Sequence, residues 1–79
     1  LLAAPTGRAA QRMSEVINQP AQTLHRLLKW SAEEGMFIHN EENPLKADFI
    51  VVDEVSMVDA PLMKSLLDAT ALGTQLLLI

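Results

Sequence analysis

The sequence predicts an α/β fold, in which a parallel sheet of three buried strands is flanked by helices. Three short apolar runs supply the strands, at residues 1–4, 49–52 and 75–79. Segments with apolar residues at helical spacing separate these runs, so the expected order of elements is β-α-α-β-α-β. Because strands that alternate with helices are joined by right-handed crossovers, the sheet should be parallel.

The first run ends at Pro5, Thr6 and Gly7, a turn typical of a strand that leads into a helix. From Arg8 onward the apolar residues recur at helical spacing, and the sequence Asn-Gln-Pro at residues 18–20 ends this helix. Its predicted apolar stripe comprises Ala9, Ala10, Met13, Val16 and Ile17.

Thr23 can cap a second, short helix, because a threonine side chain accepts a hydrogen bond from the first turn. One face of this helix is apolar and consists of Leu24, Leu27 and Leu28, whereas the other faces carry His25, Arg26 and Lys29. Residues 31–47 hold glycine, proline, two asparagines and four glutamates, which predict a long polar connection of doubtful order. A brief strand is expected within it, at residues 36–38.

The run at residues 49–52 predicts a strand buried on both faces, and it ends in Asp53 and Glu54. Asp59 then caps a third helix that has Pro61 in its first turn. The expected buried stripe of that helix is Leu62, Met63, Leu66 and Leu67. Since the chain opens and closes inside apolar strands, unpaired strand edges remain, and we expect dimerisation or exchange of an element to cover them.

Length and composition allow one globular domain, with 79 residues of which 49% are hydrophobic and 20% charged. The absence of cysteine excludes disulfides and thiolate zinc sites and fits a reducing cytoplasm, and no apolar run reaches the ~20 residues of a membrane helix. Charge is unevenly distributed along the chain. Residues 1–30 carry four basic residues and one acidic residue, a net charge of +3, whereas residues 31–79 carry two basic and nine acidic residues, a net charge of −7. The basic first third suits phosphate contact, although charge alone favours ordinary solvated helix faces.

The two acids at the end of a buried strand give the strongest chemical signal. Ligands of open parallel sheets bind beyond the carboxyl ends of the strands, so Asp53 and Glu54 should face the binding crevice. Asp53 can hold Mg²⁺ through its water shell, and Glu54 can orient the water that attacks the γ-phosphate of ATP. The alternative explanation of the two acids is that they follow the strand only because the loop there is solvated. No phosphate-binding loop of the form Gly-x-x-x-x-Gly-Lys-Ser/Thr occurs, so this chain alone should not hydrolyse ATP.

Other candidates are less specific when taken singly. Residues 5–8 lie where free backbone N–H groups attract a phosphate, yet an ordinary turn also uses proline and glycine. Thr23 is equally explained as a cap and His25 as a solvated residue. Trp30 is either a core residue, which is commoner for a lone tryptophan, or a ring on which a base stacks.

Four segments together resemble the RecD-like DNA helicases of superfamily 1B, the family of the exodeoxyribonuclease V alpha subunit. They are APTGRAA at residues 4–10, TLHRLL at 23–28, NPL at 43–45 and VVDEVSMVD at 51–59. Their order and spacing match over essentially the whole chain. The resemblance identifies residues 1–79 as a fragment of a RecA-like P-loop NTPase motor domain, running from helicase motif Ia to just before motif III.

The resemblance also implies roles for particular residues. Pro5, Thr6, Gly7 and Arg8 would belong to motif Ia, which contacts the backbone of single-stranded DNA. Thr23 and His25 would belong to a neighbouring DNA-contact motif. Asp53 and Glu54 would be the Walker B pair that serves Mg-ATP, followed by Ser56 and Met57 in the form usual for this family.

The implied activity is ATP-dependent unwinding in the 5′-to-3′ direction, carried out by the full-length protein either alone or with the subunits of a nuclease complex. Two other hypotheses remain. One is a P-loop ATPase that remodels proteins, in which the basic first third has no role in DNA binding. The other is a non-catalytic interaction domain that retains the fold.

Overall fold

Residues 1–79 are all described by the computed structural model, in which six strands, three α-helices and one 3-10 turn alternate. The elements in chain order are β1 (Leu2–Ala4), α1 (Gly7–Ile17), β2 (Gln22–Thr23), α2 (Leu24–Leu27), β3 (Trp30–Ser31), β4 (Met36–Phe37), β5 (Phe49–Val52), the 3-10 turn (Val55–Met57), α3 (Ala60–Ala69) and β6 (Gln75–Leu78).

A parallel sheet with the strand order β2-β1-β5-β6 forms the centre of the molecule. The α/β class and the parallel sheet are therefore confirmed, whereas the prediction of three strands is wrong. The added strand, β2, has two residues, both polar and half-buried. Such a short polar segment carries no alternation of apolar residues, and only its pairing with β1 makes it a strand.

Residues 31–47 are more ordered than predicted. The strands β3 and β4 pair as an antiparallel hairpin, in which Trp30 lies opposite Phe37. The Asn40 side chain accepts hydrogen bonds from the N–H groups of Glu42, at 2.9 Å, and of Asn43, at 3.2 Å. Leu45 is buried, and its N–H donates to the carbonyl oxygen of Ala69 at 2.8 Å. Side-chain hydrogen bonds and one anchored leucine therefore replace the apolar periodicity on which the sequence-based prediction relied.

The core lies on one face of the sheet, between the strands and the helices α2 and α3. It consists of Ala3, Leu24, Leu27, Leu28, Leu45, Ile50, Val52, Leu62, Leu66 and Ala69. On the opposite face, α1 packs against β1 and β2, with a small cluster of Ala4, Ala9 and Ala10. No helix covers β5 and β6 on that face, so Phe49 remains 43% exposed and the prediction of a strand buried on both faces is wrong.

The apolar stripes of two helices are narrower than predicted. In α1, Met13 is buried but Val16 and Ile17 are exposed, because the main contacts of this 11-residue helix are with β1 and β2, which have three and two residues. In α3, Leu62 and Leu66 are buried, whereas the predicted core residue Leu67 is exposed, and Ala69 fills the position beside the sheet instead. None of the helices has the length and apolar composition that crossing a membrane requires.

The predicted helix caps are present. The side chains of Thr23 and Asp59 accept hydrogen bonds from the backbone N–H groups of Arg26 and Leu62 respectively. Thr6, which the sequence placed only in the turn before α1, also acts as a cap and accepts a hydrogen bond from the N–H of Ala9. Asn18 ends α1 in the left-handed conformation, with φ of 61°, as its place before Gln19 and Pro20 suggested. These local signals fix where each helix begins and ends.

Candidate nucleotide and nucleic-acid site

The carboxyl ends of three neighbouring strands meet at one edge of the sheet. Ala3 pairs with Val52 of β5, and Ala4 pairs with Thr23 of β2, so all three strands end at nearly the same level. The residues that follow β1 and β5 are the turn at residues 5–7 and the acids Asp53 and Glu54. The turn at residues 5–7 and the two acids thus lie along a single edge, with Thr23 at one end.

Strand order places the topological switch point of the sheet between β1 and β5. The chain leaves β1 through α1 and reaches β2 on one side, whereas it leaves β5 through α3 and reaches β6 on the other side. Two loops that diverge in this way open a crevice at the carboxyl ends of the strands. Asp53 follows β5 at this point, and its N–H donates a hydrogen bond of 3.0 Å to the carbonyl oxygen of Ala3.

Asp53 and Glu54 are half-buried and stand after the strand rather than within a helix. The N–H of Glu54 donates to Oδ1 of Asp53 at 2.8 Å, which orients the carboxylate and leaves Oδ2 without a protein donor. Neither acid forms an ion pair, since the one ion pair of the molecule joins Lys64 and Asp68. Both carboxylates therefore keep their capacity to act on a ligand.

Glu54 adopts the left-handed backbone conformation, with φ of 57° and ψ of 41°, at the start of the 3-10 turn. For a residue with a Cβ this conformation costs about 1–2 kcal/mol. Its side chain makes no capping hydrogen bond that would offset the cost. Strained residues of this kind concentrate at functional sites, where the orientation of a side chain outweighs its local stability.

The chemistry of this acid pair fits Mg²⁺ that is bound together with a nucleotide. No group of three or more His, Cys, Asp or Glu side chains is arranged to hold a metal ion. Magnesium in nucleotide sites is typically held by one or two carboxylates, substrate phosphates and water, rather than by a complete protein cage. Asp53, with its free Oδ2, and Glu54 are the residues that would hold such an ion.

The turn after β1 combines a structural and a possible binding role. Thr6 is exposed, and its hydroxyl oxygen accepts the hydrogen bond from Ala9 at 3.2 Å, so the hydroxyl proton is free to donate outward. Arg8 is exposed and has no acidic partner. Because the first N–H groups of a helix lack intrahelical acceptors, Gly7 and Arg8 also present backbone donors here.

Thr23 and His25, which the sequence grouped together, lie on different sides of α2. Thr23 lines a groove of about 460 Å³ together with Gly7 and Arg26. His25 lies against the hairpin instead, with its ring centroid 5.7 Å from that of Phe37. The sequence included Arg26 in the basic first third but did not predict its place in this groove, which depends on β2.

Trp30 is 50% exposed, so the preference for a core position is wrong. Its ring packs edge-on against Phe37, with 4.9 Å between the ring centroids. Phe37 packs against the core cluster, whereas Trp30 packs on Phe37 and does not reach that cluster.

Comparison with known proteins defines the class of this chain. The model of the AAA domain family matches residues 1–79. The chain therefore belongs to the AAA domain family, and its resemblance to the RecD-like helicases is confirmed.

Three relatives show how far the similarity extends. The chain is 46% identical over 78 residues to the ATP-dependent RecD2 DNA helicase of Deinococcus radiodurans, covering 99% of this chain and 11% of the relative. It is 37% identical over 99 residues to the RecBCD enzyme subunit RecD of Haemophilus influenzae, covering 99% of this chain and 16% of the relative. It is 38% identical over 72 residues to the ATP-dependent DNA helicase dda of Enterobacteria phage T4, covering 85% of this chain and 16% of the relative. The chain thus spans less than one fifth of the length of each relative.

Proposed function

We propose that this chain is part of the motor domain of an ATP-dependent DNA helicase that moves 5′ to 3′, running from motif Ia to just before motif III. The single observation that carries the proposal is the meeting of the acids Asp53 and Glu54 with the turn at residues 5–7 at one edge of the sheet. The names of the similar proteins, which include ATP-dependent DNA helicases, support it.

In this function the acid pair serves the nucleotide. Magnesium bound with ATP neutralises phosphate charge during transfer of the γ-phosphoryl group. Asp53 would hold the water shell of that ion through Oδ2, because Oδ1 is occupied by the N–H of Glu54. Glu54 would orient the attacking water and accept its proton, a task suited to a carboxylate without a cationic partner.

The adjacent turn and groove would serve the single strand of DNA. Pro5 and Gly7 shape the turn, while Thr6, Arg8 and the first N–H groups of α1 offer donors to phosphate oxygens. Thr23 would extend this row of contacts, since it pairs with Ala4 in the neighbouring strand. His25 would contact the single strand of DNA from the opposite side of α2.

Coupling between ATP and DNA would follow from the position of their binding residues on neighbouring strands of one sheet. The turn at residues 5–7, which would contact DNA, follows β1, and the two acids follow β5. These two strands are hydrogen-bonded neighbours. A shift of β5 on nucleotide binding would therefore move the grip on DNA. We expect closure against a second RecA-like domain to drive that shift, because gated domain closure is the usual way in which binding energy becomes motion.

The test is ATP hydrolysis by the full-length protein with and without single-stranded DNA. The proposal expects DNA to stimulate hydrolysis, and it expects unwinding of a duplex that carries a 5′ overhang but not of one with a 3′ overhang. Stimulation by an unfolded protein instead of DNA would favour a remodelling ATPase. An absence of any ATP hydrolysis would favour the non-catalytic interaction domain.

Association of two copies through open strand edges stays a prediction for the 79-residue chain. The edge of β6 has no neighbouring strand on its outer side, and Leu77 and Ile79 beside it are exposed. Light scattering at high concentration tests this association, and a monomer would contradict it.

A further inference from the structure

One concavity of the molecule lies outside the edge that carries Asp53 and Glu54. It has a volume of about 580 Å³ and separates the β3–β4 hairpin from α3. This volume falls in the range of ~300–1,000 Å³ that is typical of small-ligand pockets. Its lining includes the rings of Trp30, Phe37 and His25 on one wall and the acids Asp59 and Asp68 on the other.

We propose that this cavity, called here the hairpin pocket, receives an unpaired base of the single-stranded DNA, which stacks on the indole of Trp30. This inference rests on the proposed function, because it assigns a second contact to the same DNA strand. Every base has a π face, so an exposed aromatic ring binds single strands without regard to sequence.

The indole is held ready for such a contact. Trp30 lies opposite Phe37 in the hairpin, and their rings meet edge to face at an angle of 69°. Phe37 is in turn packed against the core, so the aromatic pair is anchored to the body of the domain. Lys29, directly before Trp30, has a φ of 56° and turns the chain sharply into the hairpin. A ring fixed in this way loses little conformational entropy when a base stacks on it.

Charge favours a base over a phosphate as the occupant. The acidic side chains of the pocket lining are Asp59 and Asp68, and no lysine or arginine lines it. Asp68 is paired with Lys64, but Asp59 has no cationic partner and would repel a phosphate there. The exocyclic amino group of a base, in contrast, can donate to the Asp59 carboxylate. The groove on the other side of α2 differs, since Arg26 there can pair with a phosphate, although Glu15 also lines that groove.

The helix α2 separates these two surfaces by a single turn. Its consecutive residues His25 and Arg26 face the hairpin pocket and the groove respectively. A single strand of DNA that crosses α2 can therefore place a phosphate beside Arg26 and turn the attached base toward Trp30. This arrangement explains how His25 belongs to the DNA contact although its ring lies on the side away from Thr23.

The test compares the binding of two oligonucleotides by the full-length protein, measured by fluorescence anisotropy. One is an oligodeoxycytidylate, and the other is an abasic strand of equal length, which keeps the phosphates but has no rings. Trp30→Ala should weaken binding of the oligodeoxycytidylate about tenfold, the scale of one lost stacking contact, and should leave binding of the abasic strand unchanged. Trp30→Phe, which keeps a ring, should retain most of the affinity.

Unchanged binding of the oligodeoxycytidylate by Trp30→Ala would overturn the inference. An equal loss on both strands would also overturn it, because Trp30 would then support the fold or a protein contact. Arg8→Ala separates this inference from the proposed function, since it should weaken the binding of both strands. If Arg8→Ala weakens binding and Trp30→Ala does not, the DNA-binding function stands and the base pocket fails. If the wild-type protein binds neither strand, both fail.

Discussion

The backbone N–H of Glu54 donates a hydrogen bond of 2.8 Å to Oδ1 of Asp53, so the two acids that end β5 are linked by more than their adjacency in sequence. One oxygen of Asp53 orders the turn, and the other is available to a ligand. The structural and chemical roles of this residue can therefore be separated by substitution.

Asp53→Asn should keep the turn and lose the chemistry, because the amide oxygen of asparagine still accepts the hydrogen bond from Glu54 but carries no charge. We expect its stability to stay close to wild type, while ATP hydrolysis by the full-length protein falls by roughly 100-fold, the scale of losing one preorganised charged group. Asp53→Ala should lose stability as well. The check is chemical denaturation together with a hydrolysis assay, and near-normal hydrolysis by Asp53→Asn would refute the role of Asp53.

Arg8→Ala should weaken binding of single-stranded DNA and make it less dependent on salt. Each phosphate contact to a single strand contributes about 0.7 to the slope of log affinity against log salt concentration. Losing Arg8 should lower the slope by about that amount. Lys46→Ala is the matched control, because Lys46 is also exposed but lies outside the groove and the turn. Equal effects of the two substitutions would show that only net charge matters.

Leu66→Ala and Leu67→Ala test which face of α3 meets the sheet. Leu66 is fully buried, whereas Leu67 is 52% exposed. Truncating Leu66 should lower the free energy of unfolding by about 2–5 kcal/mol, since it leaves a cavity in the core. Truncating Leu67 should change it by less than about 0.5 kcal/mol. Denaturant titration of both variants measures the difference, and similar losses would mean that both residues are buried.

Local signals in the sequence predicted much of the fold. The starts of α2 and α3 were readable because Thr23 and Asp59 act on groups only three residues away. The acids at the end of β5 were readable for a similar reason, since two charged residues directly after an apolar run mark where a buried strand reaches the edge of its sheet. Alternating strands and helices then gave the parallel sheet.

Features that depend on distant contacts were not predictable in this way. The strand β2 exists only because Gln22 and Thr23 pair with β1, and neither residue type favours burial. The periodicity of α1 indicated an apolar stripe but not how far along it the sheet extends, so Val16 was assigned wrongly. The hairpin pocket unites residues from α2, β3, β4 and α3, and no single segment contains a signal for it.

The most direct test of the central claim is the hydrolysis of ATP by Glu54→Gln in the full-length protein, measured with saturating single-stranded DNA. Glu42→Gln, an exposed residue outside the site, serves as the control. We expect Glu54→Gln to bind ATP and DNA with near wild-type affinity and to show no DNA-stimulated turnover. Wild-type turnover by this variant would contradict the assignment of Glu54 to the attacking water, and with it the motor function of this edge of the sheet.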